Sequence, residues 1–237
     1  MLRNNMRLNK YLARCGIGSR RKCDEFIKDG LIKINGKIMV DFSYKIQTND
    51  LVKYKNKVLN IIEEDFFYVL NKPINYVCTS DDELNRKKVL DLIPSNIRLF
   101  TVGRLDYNTT GIILITNNGD IANKFSHPSN NIERKYYVES DGKFTKEQLL
   151  EIKKGIKVNG SRNLKANIYF IKKNDNKSYV WDVVMCQGRN REIRKIFDYF
   201  NLKVSKLHRY EFAGFKLGNL KSGKYKKIRN FEIKKYI

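Results

Sequence analysis

The stretch GIILIT, Gly111 to Thr116, constrains this chain more than any other. Four of its residues are Ile or Leu in succession, and it follows directly on the polar loop GRLDYNTT, Gly103 to Thr110. An apolar, β-branched run delivered by a tight polar loop reads as a buried strand. A chain that contains it must build a sheet. Five further runs, FFYVLNKP, RKYYVES, LKANIYFI, SYVWDVVMC and GFKLGNL, supply candidate strands. Helical spacing predicts helices over Gly119 to Phe125, Thr145 to Lys154 and Arg191 to Phe200. This part of the chain therefore reads as mixed α/β. With 237 residues, 41% of them hydrophobic and 12% aromatic, there is material for one large domain or two smaller ones, and disorder is excluded as the main state.

The first 60 residues read differently. They hold fourteen Lys and Arg against five Asp and Glu, a denser positive charge than the remaining 177 residues carry. Leu8, Tyr11 and Leu12 repeat at i, i+3, i+4, as do Cys23, Phe26 and Ile27 after the break GIGS, which predicts two short helices joined by a turn. Ser19 suits the N-cap of the second helix and Gly30 the position after its end. In LIKINGKIMV, apolar residues alternate on both sides of Asn35 and Gly36, the dipeptide favoured in two-residue hairpins. From Tyr54 to Phe67 the charge clusters change sign and periodicity lapses, so this segment reads as a linker. The expected division is 1–60 and 61–237.

Arg20, Arg21 and Lys22 fall in the first turn of the second helix, where the macrodipole disfavours cations by a few tenths of a kcal/mol each. Two readings are open: a phosphate site made of free N–H groups and three cations, and a solvated basic face. The lead-in CQGRNREIRK repeats the pattern, with four cationic side chains around a glycine turn. In the helix it opens, Ile193, Ile196, Phe197 and Phe200 share one face and leave Arg191, Arg194, Lys195 and Asp198 on the other. The net charge of +23 makes nucleic acid the leading class of partner. A compositional bias toward Lys, Asn and Ile accounts for a share of that charge, but not for the arginine clusters.

Other chemistries are set aside. Cys15, Cys23, Cys78 and Cys186 are scattered without a C-x-x-C pair, which fits reduced thiols in a cytosol rather than a zinc site or disulfide framework. No apolar segment approaches the roughly 18 to 20 residues of a membrane span. The start MLRNNMRLNKY has no signal-peptide core, so a cytoplasmic protein is expected unless a short basic leader hides an organelle address. Phosphate-loop, dinucleotide and metalloprotease motifs are absent. His127 and His208 lie far apart and read as packed residues; Asp81 to Glu83, beside Ser80 and Asn85, reads as a solvated loop rather than a metal site. Outside the arginine clusters there remain Asp106, Lys72, Tyr136, Tyr137 and Trp181. Strand alternation puts Tyr136 and Val138 on one side and Tyr137 on the other, so one tyrosine can be core while its neighbour faces a cleft. Aromatic faces hold unstacked RNA bases, although packing is the simpler role from pattern alone. By itself Asp106 reads as a turn residue.

GSRRKCDEFIKDGLIKINGK lies in a helix-turn-helix and hairpin, roughly residues 6 to 53, that resembles the S4 RNA-binding domain. This resemblance favours the phosphate reading of Arg20, Arg21 and Lys22. VGRLDYNTTGIILITNNGDIANKFSHPSNNIERKYYV resembles the catalytic segment of pseudouridine synthases of the RsuA/RluB kind, which carry a G-R-L-D motif followed by a T-x-G-L/I-L strand. QGRNREIRKIF and VSKLHRYEFAGFKLGNLKSGKYKKI resemble that family's downstream blocks, and the order of blocks spans nearly the whole chain.

The resemblance implies an α+β protein: a small S4-like domain, then a larger mixed α/β synthase domain on a mainly antiparallel sheet. It implies isomerisation of uridine to pseudouridine in ribosomal RNA, free or in an assembling subunit, with no cofactor or metal; a monomer without membrane association is expected, since the sequence suggests neither a subunit interface nor an apolar span. Carried over by position, Asp106 is the nucleophile, and Arg194 is the basic partner that keeps it ionised against burial. Arg104 extrudes the target base or holds its phosphate, and Tyr136 stacks on the uracil and serves a later proton transfer. Asn108, Thr109, Thr110 and Gly111 fix the loop; Arg189, Arg191 and Lys195 join Arg20, Arg21 and Lys22 in holding RNA. GSRR, HPSNNIERKYYV and GRNREIRK are closer to members that modify large-subunit RNA. The alternatives are a small-subunit enzyme and a non-catalytic S4-type assembly factor, although binding alone gains nothing from a negative charge within an RNA cleft.

Overall fold

The computed structural model describes residues 5–158, 163–175, 177–233 and 235. Its contacts divide the chain into two compact units. The first runs to Phe66 and takes in Ser95–Leu99 and Asn117–Gly119; the second holds the rest.

In the first unit, β1 (Met6–Arg7) leads into α1 (Leu8–Arg14) and α2 (Arg20–Lys28). There follow β2 (Ile32–Ile34), β3 (Lys37–Ile38), β4 (Lys45–Ile46), β5 (Val52–Tyr54) and β6 (Lys57–Val58). The Ser19 hydroxyl caps α2 by accepting the Lys22 N–H at 3.1 Å, and Gly30 follows the helix at φ +66°. Asn35 at φ +51° and Gly36 at φ +85° give the two left-handed residues that a tight β2–β3 turn requires. The strands order as β3-β2-β5-β6, with β1 on β4. Leu8, Tyr11 and Leu12 of α1 meet Cys23 and Ile27 of α2 over Ile32 and Ile34 in one apolar cluster. The alternation expected across Asn35 and Gly36 buries residues only before the turn. Ile38 and Val40 face solvent, β3 being a two-residue strand at the edge of its sheet. The segment read as a linker is part of this unit to at least Ile61. There β6 pairs with β5, Ile61 is buried, and the Tyr11 hydroxyl donates to the Leu59 carbonyl at 2.9 Å. Single anchors rather than a repeating face hold it, which is why its periodicity lapses.

In the second unit the strands are β7 (Phe67–Lys72), β8 (Phe100–Val102), β9 (Thr110–Thr116), β10 (Arg134–Ser140), β11 (Asn167–Lys173), β12 (Tyr179–Met185), β13 (Val204–Phe212), β14 (Phe215–Lys216) and β15 (Tyr225–Lys227). The helices are α3 (Gly119–Ser126), α4 (Lys146–Lys154), α5 (Glu192–Tyr199) and α6 (Asn230–Ile233). One sheet runs β11-β12-β10-β13-β9-β7-β15, with β8 added to β9 and β14 to β13. Every pairing is antiparallel except β13 with β9. That parallel seam rests on two positions, His208 opposite Thr110 and Arg209 opposite Gly111. Gly111 has φ +109°, and a Cβ there would run into the Arg209 backbone. Only glycine lets the two strands come this close.

Ile112, Ile113, Leu114 and Ile115 are fully buried, so β9 is covered on both faces as its composition demands. Around it Phe67, Phe125 and Phe215 pack ring against ring, while Phe144 joins Trp181 to Phe197 of α5. The expected strand GFKLGNL shrinks to the two residues of β14. The nine-residue β13 comes instead from VSKLHRYEF, where no strand was expected. Its buried face carries Leu207 together with the charged Arg209 and Glu211, which masks the alternation. Among the described residues no helix is long and apolar enough to cross a membrane.

Candidate active site

The loop that enters β9 at the seam is held through its backbone. Lys72, at the end of β7, has no exposed surface. Its Nζ donates to the carbonyls of Thr109 at 2.7 Å, Pro73 at 3.0 Å and Tyr107 at 3.2 Å. An ammonium has three protons to give, and these bonds use all of them. The Asn75 N–H also donates to the Tyr107 carbonyl, at 3.1 Å, and the Leu105 N–H donates to Cys78 Sγ at 3.4 Å. Asp106 lies between these fastenings, its own carbonyl accepting the Thr109 N–H at 3.0 Å. Its carboxylate is half-buried and, among the described residues, makes no side-chain hydrogen bond or ion pair. Burial pushes the Lys72 ammonium down from 10.5 to about 8, against the pull of Cys78 and Asp106.

Asp106 lines a cleft of about 270 Å³. Arg104 joins it from the loop, Arg134 and Tyr136 from β10, Arg209 from β13, and Arg189, Arg191, Glu192 and Arg194 from α5 and its lead-in. Arg194 donates from Nη1 to the Val204 carbonyl at 2.9 Å. Burial and the neighbouring Arg191 lower its pKa, while Asp106 acts in the opposite sense. The aspartate and Arg194 thus feel each other across the cleft without an ion-pair contact. Arg209 is almost wholly buried, its Nε donating to the Ile112 carbonyl at 2.9 Å and its guanidinium lying 4.4 Å from the Phe212 ring centroid. Arg134 donates to the carbonyls of Ile132 and Cys186, both at 2.6 Å, and lies 5.2 Å from the same ring.

Five buried side-chain atoms lack a hydrogen-bond partner among the described residues: Thr109 Oγ1, Gln187 Oε1, Glu192 Oε1, Arg194 Nε and Arg209 Nη2. Four belong to residues lining the cleft, and Gln187 is next to Gly188, which lines it too. Buried polar groups are almost always paired, and each orphan costs about 1–3 kcal/mol. Orphans gathered at one cleft mark a surface built for a ligand's hydrogen bonds.

Tyr136 is 7% exposed and faces the cleft. Tyr137, on the other side of β10, is 45% exposed and stacks on Tyr210 with centroids 4.3 Å apart. The same tyrosine is therefore both buried and cleft-facing. At α5 the expected cationic helix start is corrected. Arg191 is the N-cap residue, in the left-handed conformation, and the first helical residue is Glu192, whose Oε2 accepts the Arg189 N–H at 2.8 Å. An acid in that position complements the macrodipole. Lys195, one turn on, is half-buried and does not line the cleft. Arg20, Arg21 and Lys22 are exposed in the first unit; Lys22 pairs with Glu25 at 2.6 Å and Arg20 donates to Asn9 at 3.3 Å. Asp82 is tied to Arg86 at 2.6 Å, and no group of three His, Cys, Asp or Glu among the described residues is placed to hold a metal.

A family model described as RNA pseudouridylate synthase matches residues 66–199, and an S4 domain model matches residues 6–52. The chain belongs to the RNA pseudouridylate synthase family. It is 33% identical to the ribosomal large subunit pseudouridine synthase B of Bacillus subtilis over 233 residues, 97% of this chain and 94% of that one. The protein of the same name from Buchnera aphidicola is 36% identical over 235 residues, 96% and 94% of the two chains. An uncharacterised RNA pseudouridine synthase of Rickettsia typhi is 35% identical over 231 residues, 98% and 95%. A crystal structure of a pseudouridylate synthase matches with a TM-score of 0.69 and 25% identity, covering 98% of this chain and 100% of that one. The protein is an RNA pseudouridine synthase with an S4 domain before a synthase domain on a mostly antiparallel sheet.

In this synthase the structure brings together Asp106, Tyr136, Arg104, Arg189, Arg191 and Arg194, residues expected from separate sequence blocks. It adds three that sequence reasoning missed, Arg134, Glu192 and Arg209, and gives Lys72 a role it lacked. The available signal was a charged residue in an inward register: Arg134 shares its side of β10 with Tyr136 and Val138.

Proposed function

We propose that this enzyme converts uridine to pseudouridine in large-subunit ribosomal RNA, with Asp106 as nucleophile. The observation that carries this reading is a carboxylate left free by a loop fastened on both sides, in a cleft whose other charged groups are mostly arginines. A flipped-out uridine enters the cleft, and the Asp106 carboxylate attacks it. The N1–C1′ bond breaks, the base turns, a C5–C1′ bond forms and the bond to Asp106 breaks to return the free carboxylate; the proton leaves C5 and N1 ends protonated. Substrate and product are isomers, so no oxidant, reductant or group donor is required. Arg194 and Asp106 attract each other through space, which places a cation beside the nucleophile, and Tyr136 offers its ring to the uracil.

Arg104, exposed at the mouth, assists extrusion of the base, while Arg189, Arg191 and Lys195 hold the surrounding phosphates. In the S4 unit, Arg20, Arg21 and Lys22 at the start of α2 dock RNA elsewhere along the strand. The large-subunit assignment is supported by the names of the Bacillus subtilis and Buchnera aphidicola relatives. Mapping pseudouridines in ribosomal RNA from cells with and without the protein tests it. One large-subunit site is expected to vanish with the protein; an unchanged map, or a loss confined to small-subunit RNA, overturns the proposal.

A further inference from the structure

Glu192 is a carboxylate in a cleft whose arginines suit a negatively charged RNA, where a second acid adds repulsion. It is 3% exposed, and one of its two oxygens has a structural task, accepting the Arg189 N–H at the start of α5. The other, Oε1, is buried without a partner although the residue lines the cleft. Capping explains one oxygen and not the second, and a buried acceptor held unpaired is costly unless a donor arrives. Burial raises its pKa above the ordinary carboxylate range, and the Arg189 N–H with the charges of Arg189, Arg134 and Lys195 acts against that rise in favour of the ionised form. An ionised carboxylate can only accept.

If uridine enters this cleft, as the proposed function has it, the Watson–Crick edge of the base presents acceptor, donor, acceptor: O2, N3–H and O4. The orphaned donors Arg194 Nε and Arg209 Nη2 suit the ring carbonyls, and a carboxylate suits only N3–H. Cytosine carries a lone pair at N3, which a carboxylate would repel. We propose that Glu192 Oε1 accepts the N3–H of the target uridine and thereby makes the cleft select uracil over cytosine.

The test is a cycle between substrate and enzyme. RNA carrying 3-deazauridine at the target position replaces N3–H by C–H at nearly the same shape and turns the O4 carbonyl into a hydroxyl, a second change that both enzymes meet alike and that cancels between them; kcat/KM is measured for uridine and 3-deazauridine RNA with the wild type and Glu192→Ala. With the wild type the replacement is expected to lower kcat/KM by about 10- to 100-fold, the scale of a hydrogen bond to a charged group. With Glu192→Ala the uridine reaction falls by a similar factor and the penalty for 3-deazauridine shrinks by about 10-fold or more, to what the change at O4 alone costs, because the contact at N3 is already gone. A merely structural Glu192 would slow both RNAs and leave the penalty unchanged, which overturns the proposal. A wild-type penalty below about threefold overturns it too, whether or not the variant folds. If the wild type makes no pseudouridine from the unmodified RNA, the proposed function itself fails and this inference with it.

Discussion

Lys72→Met separates the fastening of the catalytic loop from the stability of the fold. Methionine matches the lysine stem in length and removes the ammonium, so the Thr109 and Pro73 carbonyls lose the donor at 2.7 and 3.0 Å, while Tyr107 keeps the Asn75 N–H. Two buried carbonyls without donors cost about 2–6 kcal/mol together. Against this, the fall of the lysine from 10.5 to about 8 means that the charged form is disfavoured by about 3 kcal/mol in the fold, a penalty methionine does not carry. The two effects offset, and global stability should change by less than about 3 kcal/mol. Turnover should not survive as well. With the Thr109 carbonyl released and the Tyr107 carbonyl left on the Asn75 N–H alone, the carboxylate loses its set position, and a displacement of about 1 Å costs about 100-fold. Denaturant unfolding and single-turnover pseudouridine formation check the two halves. A variant that keeps more than a tenth of wild-type turnover refutes the role given to Lys72, and one that unfolds outright refutes the offset.

The same lysine predicts a pH dependence with opposite signs in two observables. Above about pH 8 the folded protein releases a proton that the unfolded chain holds until about 10.5, so this group favours folding more as pH rises through that window. Turnover should fall over the same rise, since a neutral amine has only two protons for three carbonyls; a flat alkaline limb to pH 9.5 contradicts this. Gly111→Ala should destabilise the second unit by more than about 2 kcal/mol and lower activity, because its Cβ meets the Arg209 backbone at the seam; a melting temperature within 1–2 °C of wild type, a shift far below that cost, would show that the strands can part. Replacing Arg20 and Arg21 together with alanine should weaken RNA binding and reduce the slope of log K against log salt by about 1–2; an unchanged slope removes the S4 helix start from the interface.

Much of this fold could be read from local pattern. The run in β9, the alternation in β10 and the apolar faces of α1, α2 and α5 each state their own periodicity, and Ser19 caps the helix its position predicts, while Thr145, expected as the first residue of α4, is its N-cap. The seam could not be read so. It joins Gly111 to Arg209, far apart in sequence, and β13 hides its strand character because its buried side carries Arg209 and Glu211. Lys72 was conspicuous as a lysine in an apolar strand, but its three acceptors become apparent only once the loop is folded over it. Asp106 stood out by resemblance rather than spacing, and what the structure adds is the freedom of its carboxylate. The helix-start reading failed at α5 for a local reason: the helix begins one residue later, on a glutamate.

The central claim is that Asp106 performs the chemistry and that the surrounding cations bind the RNA. Purified Asp106→Asn, an isosteric change at a side chain with no bonded partner among the described residues, tests it with two readings on ribosomal RNA, affinity and single-turnover pseudouridine formation. The account predicts affinity within a few-fold of wild type and no detectable pseudouridine. Product formed by the variant at a tenth of the wild-type rate or more would contradict it.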